Sequence, residues 1–329
     1  MARGHRHRAR LAVRGRAASP KVGIFQRGSH RIVDIPRCAV HHPLVNRVAA
    51  ELKQAMRALG VAPYADLPHR GALRTVQVVI ERSSGRAQVV LVGNARSPAV
   101  LEPLAEALAG GLGADLHSLW WNGNPERTNV ILGPLWQHWQ GPETVVERLG
   151  GAQVHFPPGA FGQSNLPLFE RIVERVGAWV PDRARLVELY AGTGAIGLGL
   201  LGRVTSAVFN ERDRHALRGL ELGLEALPAV QRERARVAPG AADGCAELLD
   251  GADVVVVDPP RKGLDPALLA ALCADPPARL VYLSCGLASF LRDSERLLAS
   301  GALALRQLDA YDLFPYTDHV ESLALFERA

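Results

Sequence analysis

A chain of 329 residues exceeds one average domain and is comfortable as two, each able to bury its own core. Hydrophobic residues at 48% and charged residues at 22% exclude a disordered or fibrous chain, and no apolar run reaches the length of a membrane helix. The net charge of +5 suits a polyanionic partner, because cations that neutralise phosphates release counterions. Lysine occurs only at Lys21, Lys53 and Lys262, so arginine carries nearly all of this charge. Arg3, Arg6, Arg8, Arg10, Arg14 and Arg16 crowd the first sixteen residues with no acid among them, as a basic strand or arm, a solvated tail or a presequence would. Cys38, Cys245, Cys273 and Cys285 lack CxxC spacing, which excludes a zinc ribbon or a disulfide framework and points to a reducing cytoplasm.

In chain order, RARLAVRG (8–15), KVGIFQRG and HRIVDI (21–35) alternate apolar and polar residues as strands, with Arg27-Gly28-Ser29 as a hairpin turn. Val45 to Leu59 has helical spacing. RTVQVVIE and AQVVLVG, joined by Arg82-Ser83-Ser84-Gly85, predict another hairpin; Pro103 to Leu112 is a second helix, and LHSLWWN and TNVILG supply further strands. Residues 1–150 therefore read as an α+β accessory domain. In 151–329 a helix from Pro167 to Trp179 leads into RLVELYAG, an apolar strand ending in a glycine turn and a new apolar helix. SAVFNER, ADVVVVDPP and RLVYLSCG repeat this grammar, and SLALFER is the last strand. Short buried strands alternating with helices predict a doubly wound, Rossmann-like α/β sheet whose ligand lies beyond the carboxyl ends of its strands.

The chemistry-bearing residues fall at those ends. In Glu188-Leu189-Tyr190-Ala191-Gly192-Thr193-Gly194, Gly192 and Gly194 permit a tight turn and close approach of a ligand to backbone N–H groups. With Gly197 the run reads as GxGxxG, so a dinucleotide site and a plain turn both remain open. Glu211, ending the next strand, is placed to accept from a ribose diol, which NAD and S-adenosylmethionine share, or is a solvated strand-end acid. In Asp258-Pro259-Pro260-Arg261-Lys262-Gly263 two prolines stiffen the chain after a buried strand and fix the direction of the preceding carboxylate, as in a substrate lip. Asp258 could bind cofactor or target base, and Arg261 and Lys262 could hold a phosphate. Cys285 follows the next strand and faces the same crevice, whereas Cys245 and Cys273 fit apolar helical faces. His319 and Glu321 are candidate proton carriers. Gln163, in Phe161-Gly162-Gln163-Ser164-Asn165, could cover a cofactor or read the Watson–Crick edge of a base.

With FGQSN, ELYAGTG, DPPRKG, LSCG and FPYTDHVE in this order, the chain closely resembles the RNA 5-methyluridine (uracil-C5) methyltransferases of transfer and ribosomal RNA. The resemblance covers Phe161 to the end and runs more loosely through HRIVDIPRC, LHSLWWN and RTNVILG. It implies a class I methyltransferase sheet, a smaller amino-terminal α+β domain that positions RNA, and S-adenosyl-L-methionine as cofactor. It also implies Cys285 as nucleophile, Glu321 as general base, Gln163, Tyr190, Glu211 and Asp258 at cofactor positions beside Gly192, no metal, no membrane, and a cytoplasmic monomer acting on tRNA or rRNA, with the basic run near that RNA. Carbon 5 of uracil is too weak a nucleophile to take a methyl unaided, so a thiolate must first add to carbon 6, and a base must later remove the carbon 5 proton. Positive charge from Arg261 or the cofactor's sulfonium is expected to help form the thiolate. The uracil must also leave its stack.

The chain departs from the family at four points. Gly286-Leu287 stand where Asn-Pro is usual, and Ala195 where many members place an amide. The family's frequent oligonucleotide-binding barrel and the four cysteines of an iron–sulfur cluster are not read in this sequence. RNA contacts then fall to the accessory domain, the basic run and Trp120, Trp121, Trp136 and Trp139, unless those aromatics are core. Two other readings stay open: a methyltransferase for another nucleobase or a small molecule, and a catalytically silent RNA-binding or assembly protein.

Overall fold

Alternation near the start of the chain becomes strands β1 (Arg8–Arg16), β2 (Ser19–Phe25) and β3 (Ile32–Asp34). The computed structural model describes residues 3–29 and 31–329, so His30, at the head of HRIVDI, lies outside the described residues. The chain divides into two units, Met1–Val145 and Val146–Ala329.

In the first unit β4 (Leu73–Ile80), β5 (Ala87–Gly93), β6 (Leu116–Gly123) and β7 (Leu135–Gln140) extend the sheet in the order β3-β2-β1-β4-β5-β6-β7. Among the described strands of this sheet, only β5 and β6 pair in parallel. Helix α1 (Pro43–Leu59) is fixed by its ends: the His42 side chain accepts from Leu44 N–H, and Gly60, at φ 65°, donates to the Arg57 and Met56 carbonyls. Its Val45, Val48, Leu52 and Met56 share one core with α2 (Glu102–Leu112) and with Leu11, Val76, Leu91 and Trp121 of the sheet. Those four sheet residues are register partners on one face.

Much of the basic run is spent inside this unit. Arg10 donates to Gln77 at 2.6 Å, and Arg14 pairs with Asp66 at 3.2 Å while lying 5.1 Å and 5.0 Å from the Phe25 and Tyr64 rings. The tryptophans are packed too: Trp121 is core, and Trp120 stacks on His138 with its edge to Trp136. TNVILG does not form the expected strand. Arg74 takes the Thr128 carbonyl, Asn124 those of Val130 and Ile131, and Asn122 both backbone groups of Gly133. Side chains have consumed the groups a ladder needs, and the strand forms instead at Leu135–Gln140.

The second stretch starts with a hairpin of β8 (Val145–Leu149) and β9 (Ala152–Phe156), turning at Gly150 and Gly151 with φ 55° and 88°. Helix α3 (Leu166–Trp179) leads into β10 (Arg185–Leu189). There follow β11 (Ser206–Glu211), α4 (Arg214–Glu225), α5 (Ala229–Arg232), β12 (Ala235–Pro239), β13 (Val254–Val257), α6 (Pro266–Ala274), β14 (Arg279–Ser284), α7 (Leu287–Ala299), β15 (Leu303–Tyr311) and β16 (Glu321–Arg328). The sheet order is β12-β11-β10-β13-β14-β16-β15. Strands β10 to β14 are parallel, and β16 inserts antiparallel between β14 and β15. A dinucleotide-binding sheet shares the parallel order 3-2-1-4-5 but continues with a sixth strand at the edge, so the inserted strand separates the two folds.

Two details differ from the sequence reading. The apolar helix expected after the glycine turn is a series of turns with one 3-10 turn at Leu198–Leu200. Five glycines between 192 and 202 penalise a regular helix, and a side chain at Gly199 would collide with the Gly150 carbonyl. Cys245 is buried as expected but lies between two 3-10 turns, with its thiol donating to the Ala241 carbonyl.

Candidate active site

A cavity of about 550 Å³ opens at the carboxyl ends of β10, β11, β13 and β14, within the range of small-molecule sites. Gln163, Tyr190, Gly192, Glu211, Asp258, Cys285 and Glu321 all line it, and so do Arg261, Lys262 and His319. Strands of a parallel sheet end together on one edge, which gathers Tyr190, Glu211, Asp258 and Cys285, while Gln163 comes from the loop before α3 and Glu321 from the start of antiparallel β16.

The glycine loop forms one wall. Tyr190 and Gly192 have φ 59° and 58°, and a Cβ at Gly192 would meet nothing within 4 Å. Conformation rather than crowding therefore selects glycine there, and its backbone borders open space. Gly192 N–H donates to Glu211 Oε2 at 2.8 Å, while Arg212 and Asp213 N–H donate to Oε1 at 2.7 Å each. Three donors thus hold the Glu211 carboxylate in one orientation. Asp213 then caps α4, and the Tyr190 hydroxyl accepts from Asp265 N–H at 3.3 Å, tying the loop to the start of α6. Gln163 contributes a buried Oε1 with no hydrogen-bond partner.

The opposite wall follows from strand register. The ladder between β14 and antiparallel β16 ends at Ser284 and Ser322, and Cys285 and Glu321 each lie one residue beyond that last pair, where both line the cavity and the Glu321 charge acts on the thiol. Glu321 is 1% exposed, its Oε2 has no hydrogen-bond partner, and burial pushes its carboxyl up to about 7 despite the opposing pull of Arg261. Asp258, at the end of β13, is pushed up to about 8 by burial and by the charges of Glu321 and Glu211. Burial, Glu321 and Asp258 raise the half-buried Cys285 thiol as well. Arg261 pulls it down as the sequence suggested, but is outweighed. Arg261 Nη2 lies 3.3 Å from His319 Nε2.

Sequence reading did not single out Glu188. It is 3% exposed beneath the glycine loop and pushed up to about 8 by burial first, then by Asp258. A Cβ at Gly197 would collide with Glu188 Oε2, so Gly197 is the glycine demanded by close approach. The signal was available, because an acid amid the apolar residues of a buried strand is conspicuous.

A doubly wound sheet with an inserted antiparallel strand, and a cavity at its strand ends lined by a glycine loop, Glu211, Cys285 and Glu321, fit the class of Rossmann-like transferases. The sequence profile of the tRNA (Uracil-5-)-methyltransferase family matches residues 250–329. An "uncharacterized RNA methyltransferase" of Protochlamydia amoebophila is 37% identical over 99% of this chain and 86% of its own length. One of Parasynechococcus marenigrum is 32% identical over 99% of this chain and 70% of its own. The Pyrococcus abyssi tRNA (uracil-54, C5)-methyltransferase, solved with S-adenosyl-L-homocysteine, superposes with a TM-score of 0.84 at 25% identity, over 99% of this chain and 75% of that one. The chain belongs to the S-adenosylmethionine-dependent RNA (uracil-C5) methyltransferase family. Among the described residues no helix is long and apolar enough to cross a membrane.

Proposed function

We propose that this chain methylates carbon 5 of a uridine in tRNA or rRNA, with Cys285 as nucleophile and Glu321 as general base. The placement of these two residues, each one step beyond the last β14–β16 pair and both in the lining of the cavity, carries the proposal. S-adenosylmethionine is cationic at its sulfonium and its amine, and a lining that includes Glu188, Glu211, Asp258 and Glu321 suits such a molecule. Glu211, held by three N–H groups, would accept from the ribose diol, Gly192 would let the ligand approach the backbone, and Tyr190, Gln163 and Asp258 would complete the cradle. The bound cofactor supplies an electrophilic methyl group on sulfur.

The Cys285 thiolate adds to carbon 6 of the uracil, forming a C–S bond and placing an electron pair on carbon 5. That pair would bond to the methyl carbon that the cofactor, held by Glu211, Tyr190, Gln163 and Asp258, would supply, the methyl–sulfur pair staying with sulfur as a neutral thioether. Glu321 removes the carbon 5 proton, the carbon 5–carbon 6 double bond re-forms, and the C–S bond to Cys285 breaks with its pair returning to sulfur. A carboxyl that titrates at about 7 is matched to taking a proton near neutrality. The amino-terminal unit would position the RNA. RNA carrying 5-fluorouridine tests the order of events, since fluorine cannot leave carbon 5 as a proton does. The expected result is a denaturant-stable protein–RNA adduct that contains labelled methyl with the native chain and is absent with Cys285→Ala. RNA binding without adduct or methylation would instead support a silent RNA-binding protein.

A further inference from the structure

Gly286, directly after Cys285, occupies a crowded position. A Cβ there would lie 2.7 Å from Ser289 Oγ and 2.8 Å from the Arg261 carbonyl, so the lip backbone enters space a side chain would fill. Ser289, buried on the first turn of α7, has its hydroxyl 2.9 Å from the Arg261 carbonyl and 2.8 Å from that of Gly286. Two α7 neighbours grip the rest of the lip. Arg292 donates to the Lys262 carbonyl at 2.7 Å, and Asp293, 1% exposed, accepts from Leu264 N–H at 2.8 Å and the Tyr282 hydroxyl at 2.9 Å. Of these α7 side chains, Ser289 is the one that holds Arg261.

Resting on the site proposed above, we infer that Ser289, in the gap left by Gly286, is a positioning residue that fixes Arg261 beside the Cys285–Glu321 pair and so sets the reactivity of the thiol. The charged groups acting on Cys285 are Glu321 from β16, Asp258 from the lip and Arg261 itself, with His319 against the Arg261 guanidinium. Both carboxylates oppose a thiolate, and Arg261 favours it. Arg261 also favours the ionised form of Glu321. A small displacement of this guanidinium therefore acts on nucleophile and base together. Tethering a backbone carbonyl aims the side chain without touching the reacting atoms.

The test is the pH dependence of Cys285 alkylation by iodoacetamide in the whole chain without RNA or cofactor. Peptide mass spectrometry separates Cys285 from Cys38, Cys245 and Cys273. Ser289→Ala should move the alkylation midpoint upward by roughly half a pH unit, part of the one to three units an adjacent opposite charge exerts. Ser289→Thr should restore the native midpoint, and in an Arg261→Ala background Ser289→Ala should add nothing. Gly286→Ala, which pushes on the same carbonyl, should shift the midpoint in the same direction. A native midpoint in folded Ser289→Ala or Gly286→Ala, or an undiminished shift without Arg261, overturns the inference. Because alkylation reads the thiol alone, failure of methyl transfer would defeat the proposed function without deciding this point.

Discussion

Two acids of the cavity, Glu211 and Glu321, are held in opposite ways. On the glycine-loop side, Glu211 accepts three backbone N–H bonds between 2.7 and 2.8 Å. On the thiol side, Glu321 is buried with Oε2 unpartnered, and it and Asp258 are pushed up to about 7 and about 8. A carboxylate saturated with backbone donors is a fixed binding group. One buried without them exchanges a proton near neutral pH. The difference matches the proposed roles of Glu211 as a binding group and Glu321 as a base.

The sharpest way to break this comparison is at the thiol. Cys285→Ala should lower methyl transfer by roughly a thousandfold or more, with cofactor affinity by calorimetry unchanged. Glu321→Gln should lower turnover by about 10²- to 10⁴-fold and let the covalent RNA adduct accumulate on denaturing gels, because addition proceeds while proton removal does not. A base works deprotonated, so the native low-pH limb should bend at about 7, and Glu321→Gln should lose that bend. By contrast, Glu211→Gln should weaken cofactor binding by about 10- to 100-fold while leaving Cys285 alkylation as it is.

The smallest effect concerns stability. Glu188 is pushed up to about 8 when folded, well above an unfolded glutamate, so the native state holds the extra proton between those values. Its contribution is therefore lost as pH rises from about 4.5 to about 8. Glu188→Gln should flatten the fall in Tm across that window, and an equally steep fall would show that Glu188 ionises freely in the fold.

Much of this site can be read in sequence because a parallel sheet gathers strand ends. Once RLVELYAG, SAVFNER, ADVVVVDPP and RLVYLSCG are recognised as strands, Tyr190, Glu211, Asp258 and Cys285 must meet. The closeness of Glu321 to Cys285 depends instead on β16 inserting antiparallel in one register, which no local pattern encodes. TNVILG misled because its β-forming residues are overruled by Asn122, Asn124 and Arg74, distant or preceding side chains that claim its backbone. The β8–β9 hairpin left a usable signal, Gly150-Gly151 between alternating runs, which fits a two-residue turn. The raised thiol was not foreseeable from Arg261 alone, since burial and two carboxylates set its balance.

The most direct measurement is transfer of labelled methyl from S-adenosylmethionine to RNA from cells lacking this gene, followed by digestion to nucleosides and mass spectrometry. Label in 5-methyluridine with the native chain, and none with Cys285→Ala, is the expected result. Label in another nucleoside, or undiminished 5-methyluridine with Cys285→Ala, would contradict the assignment of carbon 5 chemistry to this thiol.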